Sequence, residues 1–332
     1  MQTRRMGAQG PEVSAVGIGA MSFSDFYGPT TDEASMAILD AAMDLGITHI
    51  DTSNIYGMGR SETVIGRWLA ANPGARDQVY LATKAGISRN ARGERCFDNS
   101  AAHLTGELEK SLQKLGTDAV DLFYVHRRDS SVEIEEVAET LAGIVKSGKA
   151  KAVGFSEIAP TSLRRAAAVC PIAAVQSEYS LATRFVELGL VEACAETDTA
   201  LVAFSPVART LLTDRPMTPE RAAELPFCKD NPRFMGRNLT ANIAATEPFR
   251  AYAAEIGEPT AALAIAWLLT RGDHVLPIPG TRSVNHLKEL ARGGEMILTP
   301  DQVARIEAIL RPGWTHGDRY SAEQWIGPER FC

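Results

Sequence analysis

No two of the chain's five cysteines (Cys96, Cys170, Cys194, Cys228 and Cys332) stand in C-x-x-C spacing, and their number is odd. This excludes a disulfide framework or a cysteine zinc cluster as the organising device and suits a reducing cytoplasm. Long apolar runs are missing too. The longest, Ala261 to Leu269, falls far below the roughly 18 residues of a membrane span. The basic start, Met1-Gln2-Thr3-Arg4-Arg5, leads into no apolar h-region, so no signal peptide is expected. A basic excess is also absent. The net charge is -7 and the pI near 5.5, opposite to the footprint that nucleic-acid phosphates require. What remains is ordinary globular composition, 45% hydrophobic and 23% charged over 332 residues. That length holds one large α/β barrel or two smaller domains.

Strand and helix signals alternate along the chain. A polar N-terminal segment reads as a hairpin capping a barrel, and Val13 to Gly19 as the first strand. Thr31-Asp32-Glu33 starts a helix that Gly46 stops. Apolar runs at 46–51, 78–84, 119–126, 150–155, 172–176, 199–204 and 273–278 have the character of strands buried on both faces. Helical segments separate them. The beat amounts to about eight βα units, which predicts a single (β/α)8 TIM barrel domain over 1–332 with long C-terminal-side loops. The Pro-rich stretch 206–242 breaks the beat. As a loop it exceeds the roughly 12–15 residues usual for structureless connections, which assigns it to function.

Asp51, Tyr56, Lys84 and His126 each follow one of these runs. In a parallel barrel the C-terminal strand ends converge on one rim, where catalytic groups gather. A free phenol titrates near about 10, too high to exchange protons efficiently at neutral pH. A neighbouring ammonium lowers that value, and a carboxylate can hold the ammonium in place. Tyr56 is therefore the candidate general acid/base, Lys84 its tuner, Asp51 the anchor of Lys84, and His126 the group that orients a substrate oxygen. His49, Asp51 and His126 also offer the ligand types of a two-His-one-carboxylate metal site. That alternative leaves Tyr56 and Lys84 without a task and sets a cation against Lys84, so no metal is expected. Gly17-Ile18-Gly19 imitates a dinucleotide fingerprint, with Asp40 at a suitable distance. Ser22 stands where the third glycine belongs, and Met21 to Thr31 cannot open a helix directly, so a Rossmann motif is rejected.

The segments Asp51-Thr52-Ser53-Asn54-Ile55-Tyr56-Gly57, Lys84 after its strand, and Asp121-Leu122-Phe123-Tyr124-Val125-His126-Arg127-Arg128-Asp129 resemble the aldo-keto reductases. The likeness runs from Gly17-Ile18-Gly19-Ala20-Met21 to Ile278-Pro279-Gly280-Thr281-Arg282. It is closest to the microbial and plant branch with Gln176-Ser177-Glu178-Tyr179-Ser180 and Phe204-Ser205-Pro206. The resemblance implies a barrel that binds NADP(H) without a Rossmann domain. It also implies hydride transfer between nicotinamide C4 and the carbonyl carbon of an aldehyde or ketone, or the reverse alcohol oxidation, with Tyr56 exchanging the proton. Ser156 and Gln176 would then bond the carboxamide, and Phe204 would stack on the nicotinamide. Ser205, Pro206, Ala208 and Arg209 would follow the pyrophosphate; Gly280, Thr281 and Arg282 would take the 2′-phosphate; His286 and Glu289 would lie near the adenosine. Ala20, Met21, Asp51 and Glu157 complete the expected cofactor set. An alternative on the same fold is a cofactor-binding regulatory or interaction subunit.

Some positions depart from the commoner family pattern. Glu157 follows Ser156 where many members have Asn, Ala208 and Thr210 replace glycines, and Leu290 replaces an Asn. A small carbonyl or alcohol substrate is expected to meet Phe23, Phe26 and Tyr27, the 85–99 loop, Tyr56, His126, Arg127 and Arg128, the 206–242 loop and the tail bearing Trp314 and Trp325.

Overall fold

The computed structural model describes residues 1–90 and 92–331; Ala91, within the 85–99 segment, and Cys332 lie outside the described residues. Strands β1 (Thr3–Arg5) and β2 (Glu12–Ser14) pair antiparallel as the expected hairpin. Then come β3 (Ile18–Gly19), β4 (His49–Asp51) and β5 (Tyr80–Ala85). A second antiparallel hairpin, β6 (Ile87–Arg89) and β7 (Arg95–Phe97), follows. The remaining strands are β8 (Val120–Val125), β9 (Ala150–Ser156), β10 (Ala174–Glu178), β11 (Ala200–Phe204) and β12 (Val275–Pro277). Eight of these form one parallel sheet in the order β3-β4-β5-β8-β9-β10-β11-β12.

Backbone bonds join the two edges of that sheet. Gly17 N–H donates to Pro277 O and Gly19 N–H to Pro279 O, both at 2.9 Å. The approach is so close that a Cβ on Gly19 would lie 2.7 Å from Ile278 O, and one on Gly280 2.7 Å from Gly19 O. Glycine is required on both sides of this seam, and the closed (β/α)8 barrel is the predicted fold. Every residue of β5 and β8 is buried, because strand faces inside the barrel and under the helices both lose solvent. The longest apolar run is the helix Thr260–Leu269, buried at every position. No helix among the described residues is long and apolar enough to cross a membrane.

Three sequence expectations need correction. Val13 to Gly19 is not one strand: Glu12–Ser14 belongs to the cap, and only Ile18–Gly19 enters the barrel. The Ser14 hydroxyl donates back to Val16 O at 2.8 Å, which turns the chain between the two pieces. Residues 206–242 are not structureless either. They hold the helices Pro219–Glu224, Pro226–Lys229 and Gly236–Ala245. Pro219 and Pro226 start theirs at the first turn, where a missing N–H costs nothing. The 85–99 loop carries the β6–β7 hairpin.

Candidate active site

Asp51 ends β4, Lys84 lies at the end of β5 and His126 follows β8, so adjacent strands aim three side chains at one rim. Tyr56 reaches the same point from the turn after β4. Lys84 Nζ donates to Asp51 Oδ1, to Thr52 O at 2.8 Å and to Tyr56 Oη at 3.5 Å. Gln176 Nε2 donates to the other carboxylate oxygen of Asp51 at 2.8 Å. His126 Nδ1 lies 3.0 Å from Ser53 Oγ, which leaves Nε2 as the nitrogen available to a ligand. The Tyr56 and His126 rings meet edge to face, 5.8 Å apart. The sequence motif contains Ser53, but only the fold reveals its contact with His126.

Burial dominates the electrostatics. It pushes the Tyr56 phenol well above its ordinary value, Asp51 pushes the same way, and Arg127 pulls it down. The Tyr56 ring borders the cavity. Lys84 and Asp51 form a fully buried pair beside the phenol. Lys84 reaches Tyr56 as a hydrogen-bond donor at 3.5 Å, and Arg127 is a further cation that pulls the phenol down. Burial, then Arg127, Lys84 and Arg95, hold the His126 imidazole well below its usual range, so it is neutral.

Tyr56 and His126 open onto a cavity of about 880 Å³. Its lining includes Arg127, Arg209, Arg215, Arg221 and Arg282, against Asp51 as the one carboxylate among the described lining residues. The pocket is therefore basic in an acidic protein, a charge contrast that draws anions. Arg221 Nη2 donates to Tyr27 O and Arg282 Nη1 to Pro29 O, both at 2.9 Å. Between these carbonyls lies Gly28, where a Cβ would meet both guanidinium groups, Arg221 at 2.1 Å and Arg282 at 3.3 Å. Arg221 also pairs with Glu224 at 2.8 Å, while Arg282 bonds only the Pro29 carbonyl among the described residues; two neighbouring cations with one carboxylate between them suit a phosphate.

The Aldo/keto reductase family model matches residues 15–311. The chain belongs to the aldo/keto reductase family. It is 38% identical over 322 residues to the aldo-keto reductase yakc [NADP(+)] of Schizosaccharomyces pombe, covering 96% of this chain and 94% of that one. Among solved structures it is similar to the glycerol dehydrogenase from Gluconobacter oxydans, with TM-score 0.82 and 26% identity over 96% of this chain and 98% of that one. An aldo-keto reductase from Bacillus halodurans in its holo form matches with TM-score 0.78 and 25% identity, covering 94% and 97%.

Most of the residues expected around a cofactor in this aldo/keto reductase line the cavity: Met21, Ser156, Gln176, Phe204, Ser205, Pro206, Arg209, Gly280, Thr281, Arg282 and His286. Five do not. Ala20 and Ala208 are both buried in the core cluster. Glu289 sits one helical turn past His286, off the lining. Glu157 is buried and ion-paired to Arg319 of the tail. Phe23, expected at the substrate, is 1% exposed, because the 3-10 turn Ala20–Phe23 directs it into the core. Phe26 and Tyr27 do line the cavity, joined by Phe227 and Tyr320. Arg128 turns away to Glu329 at 3.3 Å, leaving Arg127 alone at the pocket. The alternative His49–Asp51–His126 triad does not assemble. The Asp51 oxygens are taken by Lys84 and Gln176, His49 packs on Tyr80, and no group of three ligating side chains occurs among the described residues.

Proposed function

We propose that this aldo/keto reductase is an NADP(H)-dependent carbonyl reductase and alcohol dehydrogenase, with Tyr56 as general acid/base. The observation that carries the reading is the chain Gln176–Asp51–Lys84–Tyr56 beside a neutral His126 on the floor of a basic cavity. Nicotinamide, when bound, would supply hydride to the carbonyl carbon, or accept it from the alcohol carbon in the reverse direction. Gln176 spends its amide N–H on Asp51, so its Oε1 is left to accept from a carboxamide. Ser156 Oγ accepts from Arg127 Nη1 at 3.0 Å and keeps its own proton to donate. Phe204 offers a ring face, and Arg282 with Arg221 offers a phosphate site.

In reduction, Tyr56 gives its phenolic proton to the carbonyl oxygen, and Lys84 Nζ then donates to the phenolate. A neutral His126 positions that oxygen without competing for the proton. Burial keeps the phenol protonated in the resting protein, the form that carbonyl reduction consumes, and Lys84 Nζ is the donor placed to stabilise the phenolate that remains. The test is NADPH oxidation, followed spectrophotometrically, with a panel of small aldehydes and ketones. Failure of every carbonyl compound together with failure of alcohol-dependent NADP+ reduction sinks the reading.

A further inference from the structure

Among the described residues, Arg127 stands at the reaction centre with no carboxylate paired to it. Lys84 has Asp51, Arg209 has Glu178 at 3.1 and 3.0 Å, and Arg128 has Glu329. Arg127 uses a single nitrogen: Nη1 donates to His126 O at 2.6 Å and to Ser156 Oγ at 3.0 Å. Among the described residues its Nη2 and Nε have no partner, and no carboxylate pairs with it. A half-buried guanidinium without a counter-charge is costly unless something anionic reaches it.

Its position is fixed tightly. Folding back onto the carbonyl of His126 keeps the guanidinium beside the imidazole, and both residues line the cavity with Tyr56. Arg95 adds to the local excess: its Nη2 donates to Ile326 O at 2.7 Å, and no carboxylate among the described residues bonds it. Arg127 and Arg95 both act on His126 through space. A group held near His126 and Tyr56 therefore meets a positive field and a planar donor with two N–H edges unused.

We infer that Arg127 binds an oxyanion, a carboxylate or a phosphate, carried by the substrate next to its reacting carbonyl. The inference rests on the reductase reading and narrows it to anionic carbonyl compounds. A planar guanidinium matches either oxyanion in a bidentate manner, whereas a neutral aldehyde leaves the charge unpaired.

The test compares matched substrates: 2-carboxybenzaldehyde against its neutral methyl ester, and glyceraldehyde 3-phosphate against glyceraldehyde. Wild type prefers the anionic member of at least one pair by kcat/KM. In Arg127→Gln and Arg127→Leu that preference ratio falls by about ten- to a hundredfold, mainly through KM, the size expected for a charged hydrogen bond. Arg127→Lys restores part of it. A fall confined to the aromatic pair assigns a carboxylate, and one confined to the phosphate pair assigns a phosphate. Ratios unchanged by the substitutions overturn the inference. Calorimetric titration of benzoate gives a readout without turnover. Benzoate binding that Arg127→Gln abolishes, in a protein that reduces nothing, keeps the anion site and rejects the reductase. Equal benzoate binding by both proteins, with normal aldehyde turnover in wild type, rejects the anion site and keeps the reductase.

Discussion

Gln176 and Asp51 are joined across the barrel. β10 and β4 stand four strands apart in a ring of eight, yet the Gln176 amide donates to Asp51 at 2.8 Å. The carboxylate that anchors Lys84 is thus held from the opposite wall, which fixes both its oxygens and the aim of the ammonium. Neighbouring strands alone would leave Asp51 free to rotate.

Lys84→Met leaves the Asp51 charge buried and unpaired, which is expected to cost about 3–5 kcal/mol of stability. The bare carboxylate also pushes the Tyr56 phenol higher, so the pH profile for alcohol oxidation, where Tyr56 accepts a proton, moves upward. Adding Asp51→Asn removes the stranded charge and recovers most of the stability. Chemical denaturation and pH–rate curves on the single and double variants check this; a single variant as stable as wild type contradicts it.

Tyr56→Phe removes only the hydroxyl at the cavity floor. Turnover is expected to fall by roughly 10²–10⁴-fold, the usual contribution of general acid–base catalysis, with NADPH affinity nearly kept. Single-turnover kinetics with fluorescence titration of the cofactor separates the two quantities.

Arg282→Ala and Arg221→Ala each remove one of the two guanidinium groups that meet around Gly28. NADPH binding should weaken by about tenfold to a hundredfold for Arg282→Ala, from the loss of a charged hydrogen bond of roughly 1.5–3 kcal/mol. NADH binding should change little. Arg221→Ala follows the same pattern with a smaller effect, because Glu224 already shares its charge. Titrations at one ionic strength decide it, since salt screens such contacts. Equal weakening of both cofactors assigns these arginines to loop support instead.

Glu178 governs acid stability. Burial opposes its charge, but Arg209, then Arg319 and Arg233, hold its carboxyl down at about 2. A depressed carboxylate stabilises the fold above its unfolded value, about 4.5, and that stability is lost as pH falls toward about 2. Glu178→Gln is expected to destabilise by about 3–5 kcal/mol at neutral pH, because Arg209 is left unpaired. The gap to wild type should narrow as pH falls through this window. Denaturant midpoints by circular dichroism at several pH values measure it.

The tetrad is legible in the sequence because strands buried on both faces leave unbroken apolar runs, and a charged residue ending such a run has only the rim to occupy. The seam is legible in part, since Gly17, Gly19 and Gly280 flank strand signals. Other features depend on distant partners. Nothing local in Glu157 announces its pairing with Arg319, which arrives from 162 residues away once the tail crosses the rim. Phe23 reads as a pocket aromatic until the 3-10 turn is known, and Arg221 lies in a segment whose helices are too short to show a period. At Ala208 and Thr210 the left-handed backbone persists without glycine, with φ of 49° and 82°.

The seam between Gly17–Gly19 and Pro277–Pro279 joins stretches from opposite ends of the chain. A ribosome must release nearly the whole polypeptide before the ring can close, and contacts of such long sequence separation form slowly. Met21 and Ser22 beside one lip of that seam, and Gly280 to Ser283 beside the other, line the same cavity. A nascent or truncated chain lacking the final strand therefore offers only half a cradle. A ligand that bridges the two lips would bind the closed ring and not the open chain, so it would act as a clasp on the finished barrel.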